Sequence, residues 1–158
     1  MRIETITLHH IELPLIHPFE TSFGREVIRP CILVEVQGGG HTGWGECTAM
    51  AEPWYSYETI ETAWHVLRDF LIPVMLGEEL ASPLDAAARF RRIRGHPMAR
   101  AALEIAVWDL FARYEGVPLA DLLADQTTRA SSPPASGDGV HRNDRVPVGV
   151  SLGIESSP

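Results

Sequence analysis

"CILVEVQGGGHTGWGEC", Cys31 to Cys47, reads as two strands joined by a tight turn. Ile32, Val34 and Val36 fall on one face of the first strand, and Cys31, Leu33 and Glu35 on the other, the period-two pattern of a half-buried strand. Gly38 to Gly40 supply a turn able to take positive φ. "TGWGEC", Thr42 to Cys47, then returns, with glycines where a backbone or a ligand can approach closely. Upstream, Ile6 and Leu8 share one face of a further strand. Ile11, Leu13 and Leu15 continue one residue out of step, which predicts a bulge near His9 and His10. The first fifty residues are therefore expected to form a three-stranded antiparallel meander.

Beyond Ser56 the period becomes helical. Ile60, Ala63, Trp64, Leu67 and Leu71 lie along one face, and Pro73 stops the run. Ser82-Pro83-Leu84-Asp85 predicts a capped start for a second helix ending at Gly95. A third begins near Pro97, with Ala101, Ala102, Ile105, Trp108 and Ala112 along one stripe, and ends at Gly116. The small alanines there let another element pack closely. "PLADLL", Pro118 to Leu123, predicts a short fourth helix. The fold class is α+β, a meander followed by a helical bundle, over residues 1–125.

The composition then changes. "TTRASSPPASGDG", Thr127 to Gly139, has no periodicity and little apolar content, so residues 126–145 read as a flexible linker. "VPVGVSLGI", Val146 to Ile154, is a nearly continuous apolar strand, of the kind buried on both faces of a parallel sheet. Residues 146–158 offer it no partner strand, so the chain reads as unfinished. An unpaired apolar strand at 146–154 would be an edge prone to self-association.

The totals exclude several functions. A formal net charge of -8 over 158 residues disfavours nucleic acid and anionic membranes as partners. No apolar run approaches the roughly 20 residues of a membrane span. Two cysteines, Cys31 and Cys47, without a secretory leader point to the cytoplasm. All thirteen basic residues are arginine, so no lysine is available as base or Schiff-base former. His9, His10, His17, His41, Glu46 and Cys47 lack the tight spacing of metal ligands. The arginines of "RFRRIRGHPMAR" read as solvated cations near a helix end. Glu104 and Asp109 read as structural rather than as an acid–base pair.

One turn is unusual. "PFETSFG", Pro18 to Gly24, places Phe19 and Phe23 in a loop that would ordinarily be polar. They either fold back on their own domain or cover something else. Tyr55 reads equally as filler beside Trp54, and Met50 as a gap-filler.

"PFETSFG", "GWGECTAMAEPWYSYET", "HVLRDFLIPVML", "RIRGHPMARAALEIAVWDL" and "VPVGVSLGI", taken in order, resemble the start of an enolase-superfamily enzyme. The likeness is to the muconate-lactonizing branch, in its o-succinylbenzoate synthase / N-acylamino acid racemase group. The departure is the segment from about Asp125 to Arg145, where similar proteins have a short connection.

The resemblance implies that residues 1–125 are a capping domain and that 146–158 begin a (β/α) barrel. In that superfamily, lysines on barrel strands abstract the proton next to a carboxylate, and Mg²⁺ held by acidic ligands stabilises the enediolate. None of those barrel positions matches a residue here, so no catalytic or metal-binding residue is expected and no cofactor for the isolated chain. The partner implied is a small-molecule carboxylate, met through the barrel. Phe19, Ser22 and Phe23 from one lid loop, and Met50 and Tyr55 from a second, are the implied substrate-binding residues. The parent reaction is Mg²⁺-dependent dehydration in menaquinone synthesis or racemisation of N-acylamino acids, a lyase or an isomerase. The chain alone is expected to be inactive; the alternatives are a split enzyme completed by a barrel chain in trans, or a non-catalytic binding module.

Overall fold

The computed structural model describes residues 1–22 and 24–124. Strands β1 (Thr5–Thr21), β2 (Gly24–Gly38) and β3 (His41–Cys47) form an antiparallel sheet in sequential order, the expected meander. Gly39 and Gly40 take φ of 57° and 77° at the β2–β3 turn, so the glycines there meet a real conformational demand. Ile32, Val34 and Val36 are buried beneath the helices, as the alternation predicts.

The bulge expected near His9 and His10 is absent. β1 pairs with β2 in unbroken register from Thr5 to Pro14, and the irregularity falls between Pro14 and Phe19. His10 takes a position on the core face, its ring 6.2 Å from that of Trp64. The apolar frame changes after it where β1 leaves the core; Leu13 and Ile16 are exposed. Pro14 and Pro18 lack backbone N–H donors, which accounts for the break.

Helix α1 (Ile60–Val66) starts at a capping box in which Thr59 and Thr62 bond each other's backbone N–H groups. It runs on through a π-helical turn, Leu67–Leu71, closed by Ile72 N–H donating to the Leu67 carbonyl at 2.9 Å. Ile60, Ala63, Leu67 and Leu71 are buried, as expected.

The second helix is shorter than its sequence suggests. α2 spans Leu84–Arg89 and tightens to a 3₁₀ turn, Phe90–Arg92, before Ile93 turns extended, short of Gly95. Burial of Phe90 in the core sets where the chain turns. At its start the Asp85 carboxylate accepts from the backbone N–H groups of Ala81 and Ser82, at 2.8 and 3.0 Å, and Pro83 rather than Ser82 stands at the cap position.

Helix α3 (Pro97–Glu115) also departs from expectation. Its buried residues include Ala99, Ala102, Leu103, Ala106, Val107, Leu110 and Phe111, while Ala101 is exposed and Ile105 is 47% exposed. Apolar residues encircle much of this helix, so period alone does not choose its inner face. The sheet chooses it: a methyl at Gly45 would overlap the Ala102 carbonyl, and one at Gly43 the backbone of Ala106 and Leu110. Asp109 ties the layers together, accepting from Trp44 N–H at 2.9 Å and from Arg113 Nε at 2.9 Å. The helix ends in the Schellman pattern, with Gly116 at φ 70° and Val117 N–H donating to the Ala112 carbonyl at 3.0 Å. Residues 119–124 are helical. The linker expected at 126–145 and the barrel strand expected at 146–158 lie outside the described residues.

Candidate functional site

Two segments converge at the far end of the sheet: the tip of the β1–β2 arm and the loop 48–59 that links β3 to α1. The loop is anchored at both ends. Arg29 Nη2 donates to the Thr48 carbonyl at 2.8 Å and Nη1 to Glu26 Oε2 at 3.3 Å. At the other end Met50 bridges to Thr59 in parallel sense, and its carbonyl accepts from Ile60 N–H at 2.9 Å.

Between arm and loop lies a cleft of about 290 Å³. Thr21, Arg25, Val27 and Ile28 line it from the arm, and Met50, Ala51, Glu52 and Trp54 from the loop. Its lining is mostly apolar, with a few polar groups at the rim, the usual composition of a site for a small organic molecule.

Of the sequence-derived residues, Met50 lines this cleft, half-buried. Phe19 pairs across the arm with Glu26 and is 53% exposed, Ser22 is exposed at the tip, and Tyr55 is 71% exposed; none of the three lines the cleft. Phe23 lies outside the described residues. Sequence reasoning missed Trp54, whose indole N–H donates to the Glu52 carboxylate and which is 62% exposed. It also missed Arg25 and Glu52, because single charged residues in a turn carry no period.

The remaining chemistry-bearing groups have structural roles. Cys31 and Cys47 are free and buried. Burial and the neighbouring Glu46 push the Cys31 thiol up to about 11, and burial raises that of Cys47, so both are inert at neutral pH. His9 Nε2 lies 2.9 Å from Glu35 Oε2, and Gln37 donates to Oε1 at 2.7 Å; together these hold the Glu35 carboxyl below its usual range. A Mg²⁺ does not fit the described residues: no three carboxylates, imidazoles or thiols among them converge on one point. No helix among them is long and apolar enough to cross a membrane.

Residues 2–124 match the family model described as the mandelate racemase / muconate lactonizing enzyme N-terminal domain. The chain belongs to that family. Within the mandelate racemase / muconate lactonizing enzyme family it is 44% identical over 156 residues to an o-succinylbenzoate synthase of Geobacillus stearothermophilus, covering 98% of this chain and 37% of that protein. It is 36% identical over 154 residues to an N-succinylamino acid racemase of an Amycolatopsis species, covering 98% and 38%. Among solved structures, an enolase-superfamily member from Listeria innocua matches with a TM-score of 0.74 at 34% identity, over 77% of this chain and 33% of that one. An N-succinyl Arg/Lys racemase from Bacillus cereus matches with a TM-score of 0.71 at 31% identity, over the same shares. The chain thus matches the N-terminal domain of such enzymes and spans a little over a third of the length of the curated relatives. The enolase-superfamily likeness read from "PFETSFG" through "RIRGHPMARAALEIAVWDL" holds.

Proposed function

We propose that this chain is the substrate-selecting lid of an enzyme that removes a proton next to a carboxylate, in the manner of the o-succinylbenzoate synthases and N-succinylamino acid racemases it resembles. The observation that carries this reading is the cleft between the arm tip and the Met50–Trp54 loop, mostly apolar and flanked by exposed aromatic side chains. A lid of that composition excludes water when it closes over a reacting carboxylate and grips the apolar part of the substrate. Phe19, Ser22, Phe23, Met50 and Tyr55 act as its substrate-facing residues, joined by Trp54. Phe19, Ser22 and Tyr55 stand clear of the cleft and are exposed, available to a substrate held on a second domain.

The chemistry belongs to a barrel, which supplies the lysines and the Mg²⁺ ligands. Two buried free thiols agree with a reducing compartment, and we assign the protein to the cytoplasm. The test is reconstitution. The 158-residue chain alone, assayed with Mg²⁺ for o-succinylbenzoate formation and for N-succinylamino acid racemisation, is expected to give no turnover. Mixed with the barrel portion of the Geobacillus relative it is expected to restore turnover, and Met50→Ala to lower kcat/KM about tenfold through lost apolar contact. Turnover by the chain alone, or a mixture indifferent to both Met50→Ala and Trp54→Ala, would overturn the reading.

A further inference from the structure

Arg25 stands at the arm tip, opposite Glu20 in the register and on the wall of the cleft. It is the only cationic side chain lining that cleft among the described residues; the two carboxylates there, Glu26 and Glu52, are each engaged. Glu26 is neutralised by Arg29 at 3.3 Å, and Glu52 accepts the Trp54 indole N–H. The contrast between the two arginines of the arm is informative. Arg29 commits Nη1 to Glu26 and Nη2 to the Thr48 carbonyl, which makes it a strut between arm and loop. Arg25 meets Glu20 through Nε, at 3.1 Å, in a pair exposed on both sides, and donates no hydrogen bond from Nη1 or Nη2 to a described residue. An exposed pair of this kind contributes little to stability. A guanidinium presents donors in a planar fork matched to a carboxylate, and an Nε contact leaves its Nη edge for a second one.

We infer that Arg25 is a specificity-determining residue of the lid, binding through Nη1 and Nη2 a carboxylate at the far end of the ligand's acyl arm, of the succinyl type. The inference rests on the lid reading above. Such a ligand carries two carboxylates: one beside the proton to be removed, and one remote from the reacting carbon. The remote group falls to whichever wall offers a cation, and on this chain that wall is the arm tip rather than the loop, where Glu52 would repel it. Met50 and Ile28 then take the apolar stretch between the two.

The experiment is a titration of the ¹⁵N-labelled 158-residue chain with N-succinylphenylalanine and, separately, N-acetylphenylalanine, followed through backbone amide shifts. The amides of Gly24, Arg25, Met50 and Ala51 are expected to respond to the succinyl ligand at a concentration about three- to tenfold lower than to the acetyl one. Arg25→Gln should remove that preference while leaving the acetyl isotherm in place, and Arg25→Lys should keep part of it. Equal affinities in the unaltered chain, or a preference that survives in Arg25→Gln, would overturn the assignment and leave the lid reading standing. A cleft silent to both ligands would overturn the assignment as well, while the reconstitution assay decides the lid reading.

Discussion

Glu58 is the only charged or polar residue among the described ones to be buried, at 1% exposure, and its position explains why. Its two carboxylate oxygens accept from the backbone N–H groups of Met98 and Ala99, each at 2.8 Å, in the first turn of α3. His96, the residue before that turn, sits in the left-handed region at φ 50° and makes no side-chain cap bond. A residue 40 positions upstream therefore takes the place of a local cap, adding a negative charge where the helix dipole favours one. Glu58→Ala strips one buried and one part-buried donor of their partner and should cost about 2–4 kcal/mol in urea unfolding. Glu58→Gln, which keeps one acceptor, should cost less. At the surface, the Arg68 guanidinium, bonded to both Asp69 oxygens at 2.7 Å, holds the Asp69 carboxyl down at about 2, with His65 assisting. The folded value lies below the unfolded one, so the small stabilisation is present above the ordinary carboxylate range and is lost as pH falls through about 2. A carboxyl ¹³C titration should show that value, and Arg68→Ala should return it toward the ordinary range.

At the scale of elements, the contact that sets the layering is α3 against β3. Alanines on the helix and glycines on the strand remove the side chains that would hold the two backbones apart, and Asp109 satisfies the Trp44 N–H on an otherwise open edge. Gly45→Ala is expected to cost more than about 3 kcal/mol, since the obstacle is the Ala102 carbonyl rather than a side chain able to move. Gly24→Ala, with nothing near its Cβ position, serves as the control; similar urea midpoints for the two would show that α3 yields. The "GWG" repeat and the alanine run make this close approach legible in the sequence. Which face of α3 turns inward is not legible there, because Ala101 and Ile105 are as apolar as Ala102 and Ala106. The same limit misplaces the irregularity in β1, where an exposed histidine, His10, stands opposite Ile32 in a core-facing position.

At the scale of the molecule, the described residues build one sheet covered by helices, and the first residues lock it from behind. Ile3 N–H donates to Glu78 at 3.0 Å, Gly77 N–H to Ile3 at 2.8 Å and Leu80 N–H to Met1 at 2.9 Å, so the start of the chain is tied to the segment between α1 and α2. One core runs from Ile3 through the sheet and helices to Leu122. A polypeptide of residues 1–124 should therefore unfold in a single cooperative urea transition, with coincident fluorescence and circular dichroism midpoints. Separate midpoints would mean that the sheet and the helices are independent.

The amino-acid sequence by itself determined the meander, the order and type of the helices, the glycine turns and the family, because strand and helix periods and turn chemistry are local properties written every two to four residues. The resemblance also implied Met50 as a lid residue. Only the tertiary structure decided that Trp54, Arg25 and Glu52 share the wall of a cleft with Met50, that Phe19 and Tyr55 stand clear of it, and that Glu58 caps a helix distant in sequence. Those are contacts between segments far apart along the chain. They depend on where the hairpin arm and the loop 48–59 are held relative to each other, and Arg29 and the Met50–Thr59 bridge hold them.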